Sequence, residues 1–326
     1  MVRFDVRPYY YVTSFIFFIT IFRKERQFRF SPILGGFFSL VFVSFLFQSK
    51  NGTDGEHSFR FLFFSIQFLA MSPLLVSTRS NYIRTQVIRF IDDALLGVMA
   101  LSWLLLFAGQ NLLLIDHRGN YSLLFHNSII LSGISGYLFI KNLDFISKKW
   151  PYKIALALLL ISCVIGSSKS ALFGIVLATL GTGSISFVTK LRIITIAILG
   201  LSLLIFLPEY FKLFNNKVDV QILSYDLFQT RESKWSELIR DIKKFGLIGR
   251  GLFLVPEETG SSFLALAARS GLGSLLALII YLYRNIHKKG SVISLYFVAL
   301  LFSEGFILGP GSIFFSLFWL NSESSA

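Results

Sequence analysis

The chain has 326 residues, 54% of them apolar, with 37 Phe and a net charge of +13. Soluble domains run at about 45–50% apolar, and a mean hydropathy of +0.68 over this length exceeds what one soluble core can bury, so composition predicts a polytopic membrane protein. Cys163 is the single cysteine, which excludes an intramolecular disulfide and a cysteine metal cluster, and His57, His117, His126 and His287 form no HExxH-type pair.

Apolar runs predict spans near 9–22, 30–48, 58–78, 88–108, 121–140, 152–166, 171–188, 193–207, 261–283 and 291–309, with a short further piece from Ile313 to Leu320. The first run is followed by Arg23, Lys24, Glu25 and Arg26 rather than by a small-residue cleavage site, so it is expected to remain a span. The fold expected is therefore all-α, a single transmembrane domain over 1–326 with about ten spans. Its one long polar connection, 208–260, is a loop subdomain between the eighth and ninth spans.

The basic residues alternate between connections. Arg23, Lys24, Arg26 and Arg29 follow the first span, then come Lys50, the group Arg79, Arg84 and Arg89, then Arg118 alone. Lys141, Lys148, Lys149 and Lys153 follow, then Lys169 alone, then Lys190 and Arg192, and after the long segment Arg284, Lys288 and Lys289. Rich connections mark the cytoplasmic side. The N-terminus, the loops at Lys50, Arg118 and Lys169, and all of 208–260 are then expected outside. The same alternation accounts for the positive charge without nucleic acid.

Long loops escape that rule, so the basic residues within 208–260 need another cause, an anionic ligand or a lipid surface. Trp235, Leu238, Ile239, Ile242 and Phe245 recur at helical spacing and predict an amphipathic helix that lies on a membrane or roofs a cavity. Arg231 stands one turn earlier, near the helix start. A guanidinium fork with free backbone N–H groups suits a diphosphate, and an ordinary helix-start arginine is the alternative. Lys169, in the short turn after Gly166, reads either as an interfacial side chain reaching for water or as a second cation.

Ionisable groups within spans are costly and mark function. Arg269 and Glu304 lie at matched depths in consecutive antiparallel spans and are expected to pair, either to lock two helices or to position a donor phosphate. Arg89 with Asp92 and Asp93 reads as a local ion pair at a helix end. His126, in the outer third of its span, reads as a packing residue or a substrate contact. No internal repeat is visible, so the inverted-repeat pattern of many transporters is not seen.

Several segments resemble the O-antigen ligase and polymerase superfamily of bacterial membrane glycosyltransferases. Ser167-Ser168-Lys169-Ser170-Ala171-Leu172 resembles that family's S-R-G/S-A-L turn, with Lys169 in place of arginine. Arg231 to Trp235 resembles its R-x-x-x-W element, and Phe245 to Gly251 its P-L/F-x-G-x-G, with Phe245-Gly246 replacing the proline start. Ser262 to Gly273 resembles S-F/Y-L-x-L-x-x-x-x-G-L-x-G, and Gly119 to Ser128, with His126-Asn127, resembles an upstream G-x-x-x-x-P-N segment. Their order around one external segment carries more than any patch alone.

The resemblance implies a donor glycan on undecaprenyl diphosphate in the outer leaflet of the bacterial inner membrane. It implies no nucleotide sugar, no metal and no other cofactor. Arg231 and Lys169 would hold the diphosphate, and Trp235, Arg250, Arg269, Glu304 and His126 would line the substrates. The acceptor is a second glycan or lipid A core, and membrane lipids and other polysaccharide-assembly proteins are the remaining partners. Ligases of the family carry His-Asn where this chain has Gly260-Ser261. That departure favours polymerase over ligase and leaves Glu257 and Glu258 as candidate bases. Lys169 keeps the charge of the family's arginine but not its bidentate geometry, and the chain is shorter than the family by a helix or two at its N-terminus. A transporter of the same anionic lipid is the reading from a different class.

Overall fold

In the computed structural model, residues 39–40, 80–109, 122–125, 128–147, 150–166, 168–183, 185–214, 229–247, 249–250, 261–289, 292–304 and 313–322 are described. Among them every regular element is helical and none is a strand. The helices are α1 (Ser80–Phe107), α2 (Ser128–Lys141), α3 (Trp150–Ile165), α4 (Lys169–Gly181), α5 (Phe187–Phe214), α6 (Gln229–Phe245), α7 (Ser262–Lys289), α8 (Val292–Ser303) and α9 (Ile313–Ser322), with a 3-10 turn at Leu143–Ser147.

Two of these helices are long and apolar enough to cross a bilayer, through Thr85–Phe107 and Ser262–Arg284, each 23 residues. At 1.5 Å per residue the first reaches about 34 Å, against a hydrocarbon core of about 30 Å; the second is interrupted at Gly271. Ser128–Lys141, Trp150–Ile165, Lys169–Gly181 and Val292–Phe302 are apolar but shorter. The spans expected at 9–22, 30–48 and 58–78 lie outside the described residues, apart from Ser39 and Leu40.

Helix ends differ from the sequence reading where capping outweighs hydropathy. The apolar run 171–188 is divided: α4 stops at Gly181 with Thr182 as its C-cap. Phe187 and Val188 then open α5, ahead of which Ser186 Oγ accepts the Thr189 N–H at 3.3 Å. Hydropathy cannot register such a cap, because the bond runs from a small polar side chain to backbone. α5 also passes through Pro208 to Phe214, beyond the boundary expected at Leu207. A proline costs a helix one hydrogen bond without obliging it to end. Pro151 sits in the first turn of α3, where its missing N–H has no intrahelical partner to lose.

The described chain separates into two compact units. Among the described residues, the first gathers those within Arg89–Leu227 and Leu295–Leu300, and the second those within Phe228–Ser294 and Leu301–Ala326 together with Ser39, Leu40 and Ser80–Ile88.

In the first unit α2 is central, packing against both α3 and α4, while α5 packs on α4. Its run from Leu131 to Ile140 is buried throughout, as expected of a helix apolar on every side. Small residues set the spacing. The Tyr296 ring occupies the space that side chains on Gly136 and Gly174 would fill, and its hydroxyl donates to the Gly133 carbonyl at 2.8 Å. Trp103 Nε1 donates to Ser162 Oγ at 2.9 Å, joining α1 to α3.

Asp92 is buried in α1 and does not pair within its own helix. Lys141 at the end of α2 forms a salt bridge with it, and the Tyr137 hydroxyl donates to its other oxygen at 2.9 Å. Arg89 and Asp93 are exposed, so the local pair expected from i, i+3 spacing gives way to a pair between helices. A buried carboxylate gains more from two directed donors than from one solvated arginine. Asp92→Asn leaves the Lys141 ammonium without its counter-ion, and removing one partner of a buried pair costs about 3–5 kcal/mol. The Lys141 side chain is 24% exposed, so the lower end of that range is expected. In thermal unfolding of the solubilised protein, the double variant Asp92→Asn/Lys141→Met should lose less stability than Asp92→Asn alone; equal or greater loss would deny the coupling.

Candidate functional site

Lys169 is the first residue of α4 and is half-buried. The turn before it is held in place. Ser132 Oγ donates to the Cys163 carbonyl at 2.8 Å and accepts the Ser168 N–H at 3.2 Å. A side chain on Gly166 would collide with Ser132 and the Ser128 carbonyl. Ser168 is the N-cap, its hydroxyl accepting the Ala171 N–H at 3.3 Å. The first turn of α4 contains no acidic residue. A lysine at this end adds positive charge to the positive pole of the helix.

The remaining described candidates belong to the second unit, where α6 packs on α7. Leu238 and Ala268 form the centre of that contact, with Trp235, Ile242 and Leu264 packed around it. The apolar stripe read from the sequence is narrower than expected, because Ile239 and Phe245 are exposed. A single neighbouring helix offering an alanine covers less than the full arc of the stripe. Trp235 thus has a packing role, and among the described residues its buried Nε1 has no hydrogen-bond acceptor. Arg231 lies in the first turn of α6, and its side chain lies outside the described residues.

After α6 the chain turns at Gly246 (φ 53°) and Gly249 (φ 79°). The Gly246 N–H reaches back to Ile242 O at 2.9 Å and the Gly249 N–H to Phe245 O at 3.4 Å, a glycine-based C-terminal cap. The turn is joined to a break in α7. Gly271 has φ 84° and ψ 168°, a conformation open essentially to glycine alone. In an unbroken helix the Leu272 N–H would bond the Ala268 carbonyl. Here that carbonyl accepts the Arg250 N–H at 2.7 Å, and the Leu272 N–H donates to the Gly246 carbonyl at 3.2 Å. The turn thus takes up both the Ala268 carbonyl and the Leu272 N–H that this helical bond would have joined. Gly249 lies against the backbone of Arg269 and Gly271. Ser274 Oγ donates to the Ser270 carbonyl at 2.9 Å below the break.

Arg250 directs its guanidinium to the buried Asp241 of α6 at 2.8 Å, which fixes the turn to the helix it follows. Nothing in the spacing of Asp241 and Arg250 signals that pair, because the chain reverses between them. Arg269 and Glu304 are both buried, at 5% and 6% exposure. The Glu304 carbonyl accepts a hydrogen bond from Ser262 Oγ, and Phe263 meets Phe302 edge-to-face at 4.7 Å, so the start of α7 is tied to the end of α8. His126, Glu257 and Glu258 lie outside the described residues. Among the described residues no group of three His, Cys, Asp or Glu could hold a metal ion.

The features on hand define an all-helical chain with two helices long and apolar enough to cross a bilayer, a lysine-headed helix start in one unit and a glycine-stitched broken helix in the other. Comparison with protein-family models, curated proteins and solved structures returned no match.

Proposed function

We propose that the protein is a multi-pass membrane glycosyltransferase of the O-antigen polymerase type, joining undecaprenyl-diphosphate-linked oligosaccharide units into a surface polysaccharide. Its place is the bacterial inner membrane, with about ten spans and 208–260 on the outer side. The observation that carries the reading is the interlock in the second unit. Of the three segments that resemble the family separately, Phe245–Gly251 and Ser262–Gly273 hydrogen-bond with each other, and Trp235 of Arg231–Trp235 packs against the contact that Ala268 forms with Leu238.

Multi-pass insertion is supported by the apolar side chains that the helices leave uncovered, among them Phe90, Leu104 and Phe107 of α1 and Phe187, Leu191 and Leu199 of α5. Apolar surface on that scale belongs in lipid. In the reaction an acceptor hydroxyl attacks the anomeric carbon of the donor. The new glycosidic C–O bond forms as the bond to the diphosphate breaks, and the hydroxyl proton passes to a carboxylate, Glu257 or Glu258. Arg231 neutralises the departing diphosphate, which without a metal needs cationic side chains. The resemblance implies a cationic role for Lys169 as well.

Deleting the gene and resolving surface glycans on a gel tests the reading. Chains that stop at one repeat unit are expected, because ligation of single units continues. Polymer accumulating on the carrier lipid, with none on the acceptor, would make the protein a ligase instead. Units retained on the cytoplasmic side would make it a transporter, and an unchanged pattern would remove the proposal.

A further inference from the structure

The break in α7 also separates two kinds of surface. Before it, over 262–270, no large apolar side chain is exposed; after it Leu272, Leu276, Ile279, Ile280 and Tyr283 are. That exposed band spans about 17 Å at helical rise. α6 packs on the part before the break, and its end is fixed at the level of the break by the bond from Leu272 to Gly246. The exposed apolar band of α7 thus begins where α6 ends.

The free surface at that end of α6 has a mixed character. Ile239, Arg240, Lys243, Lys244, Phe245 and Leu247 are all exposed, and Leu247 is 73% exposed. Lys244 lies over the Phe245 ring at 5.3 Å. Among the described residues the ion pairs of α6 are Arg240 with Glu237, at 3.9 Å, and Asp241 with Arg250. Lys243 and Lys244 enter neither. The negative pole of the helix accounts for Lys243 and Lys244 in its last turn, but not for an exposed phenylalanine and leucine beside them. A headgroup layer accommodates both, with cations at the phosphates and apolar side chains just beneath.

We propose that this end of α6 is an anchor for anionic phospholipid headgroups. Lys243 and Lys244 contact lipid phosphates, Arg240 adds to the field, and Phe245 and Leu247 enter the upper acyl layer. The break at Gly271 then lies in the headgroup layer, with α6 above it, and the part of α7 that crosses the acyl region is Leu272–Lys289, about 27 Å long. Charge complementarity selects the occupant, since the basic residues and the apolar band meet at one level. The anchor rests on the reading that α7 crosses a bilayer.

The test uses the full chain in nanodiscs of phosphatidylcholine, with or without phosphatidylglycerol. An environment-sensitive fluorophore is placed at Leu247→Cys or at Leu276→Cys; Cys163 is fully buried and unreactive to the label. With phosphatidylglycerol, a headgroup-level lipid nitroxide should quench the Leu247→Cys label several-fold more than an aqueous quencher does. Omitting the anionic lipid, or adding Lys243→Glu/Lys244→Glu, should reverse that ratio. The Leu276→Cys label should be quenched by an acyl-chain nitroxide in every case. A Leu247→Cys label that stays in water while the Leu276→Cys label is in acyl chain would overturn the anchor and leave the membrane reading intact. A Leu276→Cys label in water would overturn both. Quenching at Leu247→Cys that ignores lipid charge and charge reversal would overturn the role of anionic headgroups.

Discussion

If the protein is the proposed polymerase, Arg231→Ala is expected to stop polymer growth while lipid-linked units still reach the outer leaflet. The reason is electrostatic. The leaving diphosphate would gain charge as the glycosidic bond breaks, and the proposed role of Arg231, in the first turn of α6, is to stabilise it. Removing one group that stabilises such charge costs a factor of about 100–1000 in turnover. Arg231→Lys keeps the charge and loses the fork, so partial activity is expected. The measurement is glycan chain length in cells complemented with each variant, alongside outer-leaflet lipid-linked units. Wild-type chain lengths from Arg231→Ala would exclude a role for this residue in the chemistry. Failure of the units to reach the outer leaflet would indicate transport.

Gly249→Ala is expected to destabilise the second unit through its backbone. Its backbone has φ 79°, and an added Cβ would sit 2.5 Å from the Arg269 carbonyl group. The conflict is with backbone, so no rotamer change relieves it. Forcing a residue other than glycine into such a conformation costs about 1–3 kcal/mol. If the turn moves instead, the Arg250-to-Ala268 and Leu272-to-Gly246 bonds are lost, each worth about 1 kcal/mol or more when its partner stays buried. The midpoint of thermal unfolding of the solubilised protein should fall clearly. Gly97→Ala is the control, since Gly97 is helical with open space around it and alanine favours a helix. Equal midpoints for the two variants would mean that the interlock does not support the unit.

Much of the helix inventory is legible in the sequence because lipid-scale apolar runs leave long signals. The run 261–283 appears within α7 and the piece from Ile313 as α9, while of the run 121–140 only the part from Ser128 is helical, as α2, with a turn at Ser122–Phe125 before it. Helix ends are less legible, since α4 and α5 divide on serine and threonine side chains that bond to backbone. The stripe of α6 is legible as periodicity. Which part of it meets a partner is not, because that depends on the surface α7 presents. The glycines at 246, 249 and 271 stand out as motifs, yet the exchange of backbone bonds that unites them needs two segments brought together from either side of 251–260.

The sequence by itself determined the helical class and the rise and fall of hydropathy along the chain, because these follow from composition and period within a single segment. It also supplied the segments that carry the family resemblance. Only the tertiary structure decided that Asp92 answers Lys141 and Tyr137, that Arg250 answers Asp241, and that α7 breaks at Gly271. Burial is the physical reason. A polar group removed from water takes whichever donor or acceptor the packing brings within reach, and that partner is fixed by the fold, whatever its distance along the chain.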